Sequence, residues 1–397
     1  MNALESTSPQ SPKQSSKQSS KAVRKILLVV EDITITGGIE RVVANLANAF
    51  VQILGYEVTI CSCFKEYAAS PYELDSAVRV RYVYEFARKP MFERAQRSKL
   101  YNLYYRNVFE RVLSHKICKI ARGFDVFIDN YNCYLPRSWL RPADFPISIK
   151  VFHHPFQRPR ARAKRFRHIV VLSHKQLDLW QRHYSDVRVI PNALTALPPI
   201  QRERESRLVL SVGRMAAGDQ KGFLRLVDIW EIVQRGGEFA SWKLCIVGDG
   251  ELKSELESTI AQKGLGSSII LKPFTKSIER EYASASIYAM SSHYEALPMV
   301  LLEATSMGLA PVAFDINTGP SDVIDSGESG YLVEDGDLEG FASKLCMLMR
   351  DEKLRISMGE RSLQIVQDRF SQERVLGLWQ ALFQESITES KHNKKQW

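Results

Sequence analysis

Two glutamates, Glu295 and Glu303, stand eight residues apart in the run Ser291-Ser292-His293-Tyr294-Glu295-Ala296-Leu297-Pro298-Met299-Val300-Leu301-Leu302-Glu303-Ala304. An apolar stretch ends just before it at Met290, and Pro298 opens a helix where its missing N–H costs nothing. The free N–H groups around Pro298 to Leu301 can seat an anionic group on the helix N-terminus. Two carboxylates so placed can grip two hydroxyl-rich parts of one ligand, with a phosphate between them. Taken alone, the spacing is weak evidence, and Glu295 reads more readily as a solvated loop residue and Glu303 as a helix-surface charge.

A second group supplies the opposite charge. Ser211-Val212-Gly213-Arg214 is followed seven residues later by Lys221-Gly222-Phe223, which sets two cations at the mouth of a strand-end loop. That is the chemistry a diphosphate leaving group needs, because charge builds on it as its bond breaks. The turn Val247-Gly248-Asp249-Gly250 ends the next strand, and Gly248 is explained as well by a tight strand-to-helix turn as by ligand contact. Gly37-Gly38-Ile39-Glu40-Arg41 removes side chains between a strand and a helix, so the backbone can come close to a phosphate. Phe152-His153-His154-Pro155 ends another strand, where a histidine can donate or accept a hydrogen bond.

All of these residues need strand ends to hold them. Lys25 to Val30 is a continuous apolar run of the kind buried on both faces of a parallel sheet. Ile39 to Ile53 has helical spacing, Gly55 ends that helix, and Val58 to Cys63 resumes a strand. Short strands are predicted at 125–129, 147–152, 169–172 and 187–190. After Pro198-Pro199 the pattern restarts, with strands at 208–212, 244–247, 269–271, 287–290, 310–314 and 331–333 and helices at 251–262 and 299–307. The fold class is α/β, two doubly wound parallel-sheet domains facing a cleft, with ligands at the carboxyl ends of the strands. The expected divisions are a disordered basic tail at 1–24, a first domain at 25–193, a linker at 194–206 and a second domain at 207–373. A helix at 374–386, striped with Val375, Leu376, Trp379, Leu382 and Phe383, is expected to cross back to the first domain, followed by a loose tail at 387–397.

The stretch from Ser291 through Met307-Gly308-Leu309-Ala310-Pro311-Val312 and Thr318-Gly319-Pro320-Ser321-Asp322-Val323-Ile324 closely resembles the C-terminal domain of the family 4 glycosyltransferases. These are retaining enzymes of the GT-B class, built from two Rossmann-like domains. The resemblance runs from about residue 25 to about 385. It implies that Glu295 holds hydroxyls of the donor sugar and Glu303 those of the ribose, and that Arg214 and Lys221 bind the donor diphosphate. The stretch from Met215 to Gln220 is slightly longer than is usual in that family. The resemblance also implies that Gly37 and Gly38 approach the diphosphate from the other domain, and that Lys272-Pro273-Phe274-Thr275 seats the base. His153, or alternatively His154, would contact the donor sugar.

The reading that follows is transfer of a hexose or N-acetylhexosamine from a nucleotide diphosphate sugar to a growing glycan or lipid-linked acceptor, in cell-surface polysaccharide biosynthesis. A UDP-sugar is the expected donor, and no metal or other cofactor is expected. The rivals are a sugar-nucleotide hydrolase, epimerase or phosphorylase on the same fold, or a non-enzymatic module for anionic lipid or nucleic acid.

Composition bounds these readings. The 397 residues hold 54 Lys+Arg against 45 Asp+Glu, a net of +9, and an apolar share of 45% excludes a wholly disordered or fibrous chain. The charge divides into a strongly basic first half and an acidic second half. Between 86 and 120 there are nine Lys/Arg against two Glu, and between 158 and 168 six Lys/Arg and no acid. Such clusters fit an anionic acceptor or peripheral contact with an anionic inner membrane surface; the alternatives are a solvated face or single-stranded nucleic acid, the last not expected. No apolar run approaches the ~20 residues of a membrane span, and the first 25 residues carry no signal-like apolar region, so a cytoplasmic protein is expected. The six scattered cysteines suit reduced, buried thiols.

Overall fold

The computed structural model describes residues 23–133, 135, 145–195, 200, 203 and 206–395. The leader up to residue 22 and most of the expected linker lie outside these. Two wholly parallel sheets form the body. The first contains β1 (Lys25–Val30), β2 (Glu57–Ser62), β3 (Arg79–Tyr82), β4 (Val126–Asp129), β5 (Ile147–Val151), β6 (His168–Val171) and β7 (Val187–Val189), in the order β3-β2-β1-β4-β5-β6-β7. The second contains β8 (Leu208–Val212), β9 (Lys243–Val247), β10 (Ile269–Lys272), β11 (Ile287–Met290), β12 (Ala310–Phe314) and β13 (Tyr331–Val333), in the order β10-β9-β8-β11-β12-β13.

The apolar runs become central strands because both of their faces are covered. Ile26 to Val30 are fully buried, as are Val126, Phe127 and Ile128. β3 is the strand that apolar runs do not reveal. Its Arg-Val-Arg-Tyr alternation gives an edge strand with one half-buried face, a period-two signal only four residues long. Order begins before Lys25: Val23 is buried, and the N–H groups of Arg24 and Lys25 both donate to Asp125. Five of the six thiols are buried, Cys346 is half-buried, and none is in a disulfide.

Two sets of contacts outside the cleft help to join the halves. The helix Gln372–Lys395 packs its stripe onto helix Gly38–Gln52, with Trp379 edge-on to Phe50 at 6.1 Å and Phe383 beside it at 6.0 Å. Helix continues through Lys395, past the position where a loose tail was expected. Its C-terminal half is fastened by His168, whose Nδ1 lies 2.7 Å from Asp186 Oδ2 and whose Nε2 lies 2.7 Å from Ser386 Oγ. Nearer the strand ends, the loop after β6 clamps the opposite domain. Ser173 donates to Asp322, the His174 N–H donates to Asp322 Oδ1 at 2.8 Å, and Lys175 Nζ meets Asp315 at 2.5 Å. The cleft between the carboxyl ends of the two sheets is thereby held at both its flank and its back.

Candidate active site

The loop after β8 and the loop after β11 are stitched into one unit. Asp219 accepts from the N–H groups of Phe223 and Leu224, which starts helix Phe223–Gln234. Gly222 is left-handed (φ 66°), and a Cβ there would sit 2.0 Å from Ser291 O, so glycine alone lets the two loops touch. The His293 N–H donates to Gln220 O, Ser291 Oγ donates to Lys221 O, and Arg225 donates to the carbonyls of Ser291 and Ser292.

This stitching brings Lys221 onto Glu295. Nζ lies 2.6 Å from Oε1, which also accepts from Ser292 Oγ at 2.9 Å, and both members of the ion pair are largely buried. The backbone of Glu295 is held from below, since Thr318 Oγ1 donates to its carbonyl. Gly319 makes that possible: with φ 98°, a side chain there would strike Pro298 Cδ at 2.7 Å and the Ala296 carbonyl at 3.2 Å. Leu297 is buried, Pro298 caps helix Met299–Ser306, and Glu303 is buried one turn into it. Its Oε2 accepts from Tyr282 Oη at 2.9 Å.

The other oxygen of Glu303 meets Arg41 from the opposite domain. Arg41 lies in the first turn of helix Gly38–Gln52, whose N-terminus is the Gly37-Gly38 turn. Gly37 is pinned by Tyr72: its N–H donates to Oη at 2.9 Å, and the Tyr72 hydroxyl donates to its carbonyl at 2.7 Å. Nothing lies within 4 Å of where a Gly38 Cβ would be, so the backbone is open to approach. Glu40, packed behind the turn, has its carboxyl pushed up to about 7, mainly by burial.

His153 is half-buried at the end of β5, with Nε2 2.9 Å from Asn130 Oδ1. Burial first, then Lys150 and His154, depress it to about 3. It is therefore neutral near pH 7, and an Nε2–H donated to Asn130 leaves Nδ1 as an acceptor. His154 is exposed, and burial with Arg160 lowers it too.

The remaining residues lie further out. Arg214 is 75% exposed, and its nearest carboxylate is Glu251 at 3.9 Å. Gly248 follows β9, donating to Lys272 O at 3.0 Å, and a Cβ there would strike Gly213 O. Phe274 is exposed, its N–H donating to Asp249 Oδ2 at 2.7 Å. Arg41, Tyr282, Asn130, Ser292 and Thr318 belong to the site but carry no role in the sequence reading. Arg41, Ser292 and Thr318 had a signal, since they lie within the quoted motifs; Tyr282 and Asn130 had none. Among the described residues no group of three His, Cys, Asp or Glu is placed to hold a metal, and no helix is long and apolar enough to cross a membrane.

Residues 206–351 match the family model described as Glycosyl transferases group 1, and residues 36–195 match Glycosyltransferase Family 4. Over 188 residues the chain is 38% identical to an amylovoran biosynthesis glycosyltransferase, AmsD, of Erwinia amylovora, covering 47% of this chain and 51% of that protein. Over 217 residues it is 29% identical to an uncharacterized glycosyltransferase of Haemophilus influenzae, covering 54% and 60%. It thus spans about half the length of these curated relatives. Among solved structures, TarM of S. aureus, in complex with fondaparinux, alpha-GlcNAc-glycerol and UDP, superposes with a TM-score of 0.71 at 16% identity, covering 91% of this chain and 99% of that one.

Proposed function

The chain belongs to the family 4 (group 1) glycosyltransferases and has their GT-B fold, and on that footing we propose that it moves a hexose or N-acetylhexosamine from a nucleotide diphosphate sugar to a growing glycan or lipid-linked acceptor of the cell surface. The observation that carries this reading is the pair of buried glutamates on one strand–loop–helix unit, each already matched to a cation: Glu295 to Lys221 and Glu303 to Arg41. Hydroxyl groups of a sugar and a ribose can take over carboxylate oxygens, while Lys221 and Arg214 turn to the diphosphate between them.

In this proposal Glu303 holds the ribose, Glu295 orients the sugar and neutral His153 supports its reacting face through Nδ1. The bond between the anomeric carbon and the diphosphate oxygen breaks as the acceptor oxygen attacks from the same face, and a donor-phosphate oxygen takes the acceptor proton. The configuration is retained, and the lysine and arginine offset the charge left on the diphosphate. TarM's UDP complex, and the AmsD relative in amylovoran biosynthesis, favour a UDP-sugar donor and a polysaccharide acceptor. A thermal-shift screen of nucleotides followed by sugar nucleotides tests this. UDP is expected to raise Tm more than GDP or ADP, a ligand at 100 times its Kd stabilising by about 2.7 kcal/mol. No shift with any nucleotide would remove the reading.

A further inference from the structure

Seven of the large apolar side chains that stand exposed in this protein fall in one stretch, between Phe86 and Val112. Leu100 is 83% exposed and Leu103 63%, values that no soluble packing requires. The segments Lys99–Tyr104, Tyr105–Phe109 and Glu110–Ala121 run on as one helical rod with a wide π turn in the middle. Tyr105, Phe109, Leu113 and Ile117 form its inner face, buried in the core of the first domain. Leu100, Leu103, Tyr104, Val108 and Val112 form a second apolar stripe on the outside. Four-residue steps overshoot an α-helical turn of about 3.6 residues, and the wider π turn takes up part of that overshoot, which keeps the stripe straight.

Residues 86–120 carry nine Lys/Arg, and all but Arg88 are exposed and have no carboxylate within salt-bridge distance among the described residues. The second basic cluster differs. There Arg162 pairs with Glu110 and Arg167 with Glu389, while Arg160 and Arg165 are bonded to Asn132 and Leu135 O. Most of the 158–168 cluster therefore holds the fold together, whereas 86–120 faces outward uncompensated.

We propose that the outer face of residues 86–119 is a docking surface for an anionic lipid bilayer. Aliphatic side chains at the centre with free cations around them match the acyl boundary and the headgroups of such a surface. A second copy of the same face would bring like charges together, and the stripe is mainly aliphatic (Leu100, Leu103, Val108 and Val112), with only Tyr104 in it to stack a base. The surface adjoins the cleft, since Arg88 is ion-paired to Glu31 at the end of β1, ahead of the Gly37-Gly38 turn. Docking would hold the cleft beside a membrane-borne acceptor. This goes beyond the transfer reaction and does not depend on it.

The test is co-sedimentation of the full chain with phosphatidylcholine vesicles, with and without phosphatidylglycerol. Binding is expected only with the anionic lipid, weakening as salt rises. Arg106→Glu with Arg111→Glu should weaken it roughly tenfold or more, and Leu100→Asp with Leu103→Asp should do likewise. Both variants should keep the wild-type Tm and its shift with UDP, because the altered side chains are exposed. Equal binding to neutral vesicles, binding to neither, or undiminished binding by both variants overturns the proposal. So does a dimer that Leu100→Asp with Leu103→Asp converts to monomer, which would make the face a contact between copies.

Discussion

Arg41, in the first turn of the first domain's leading helix, is ion-paired across the cleft to Glu303 of the second domain. Glu303 is almost wholly buried and Arg41 is partly open, so the carboxylate is the member that depends on the pair. A ribose that bonds to Glu303 must compete with Arg41. Release of that arginine would free the carboxylate for the ribose.

Arg41→Ala should therefore have two effects of opposite sense. The free protein loses stability, since removing one partner of a buried pair is costly; the exposure of Arg41 and the remaining Tyr282 bond reduce the loss to about 1–3 kcal/mol. The Tm shift on adding UDP should grow, because the nucleotide no longer displaces a competitor. Thermal melts with and without UDP decide it. A smaller UDP shift would make Arg41 a donor ligand rather than a competitor.

Lys221→Met removes the partner of a carboxylate that only Ser292 would then bond. It should cost about 3–5 kcal/mol and lower kcat/KM about 100- to 1000-fold. Glu295→Gln keeps the shape and the Ser292 bond, so stability should change less while turnover falls comparably. Turnover within about threefold of wild type for either variant would displace them from the reaction.

The Glu40 carboxyl is pushed up to about 7 behind the Gly37-Gly38 turn. Its raised value means the folded protein holds a proton that the unfolded chain gives up near 4.5, so its contribution to stability is full below about 4.5 and is lost as pH rises through 7. The negative charge that forms there opposes a diphosphate at the turn. Donor KM should rise between about pH 6 and 8 with a slope of about one proton, and Glu40→Gln should flatten that profile. An unchanged profile in the variant would assign the slope to another group.

Asp186, His168 and Ser386 have the spacing of a hydrolytic triad, yet His168 and Ser386 are buried and bind the final helix. Ser386 should not react with a fluorophosphonate, and Ser386→Ala should cost about 1–3 kcal/mol by stranding His168 Nε2. Burial lowers the His168 pKa despite Asp186, so the folded protein refuses a proton that the unfolded chain accepts below 6.5. Stability should fall as pH drops below that value, and His168→Gln should reduce the slope in a series of melts.

Features set by neighbours along the chain are legible in the residues alone. Short runs rich in apolar residues mark twelve of the thirteen strands among the described residues, because a strand covered on both faces needs few polar side chains; β3, half-exposed at the edge, escapes them. Glycines at strand ends and Pro298 mark the turns, since their backbone demands are local, and the family resemblance of the surrounding motifs, rather than spacing alone, singles out Glu295, Glu303 and Lys221. What joins them is not legible. Lys221 reaches Glu295 only because Gly222 lets two loops touch, and Arg41 reaches Glu303 only because two domains close. Composition shows a basic first half, but only folding separates the cations already engaged by Glu110 and Glu389 from those left facing outward beside Leu100 and Leu103. Residue types state what charge is available; which charges are neutralised depends on distances between chain segments far apart in sequence, and those the tertiary structure alone decides.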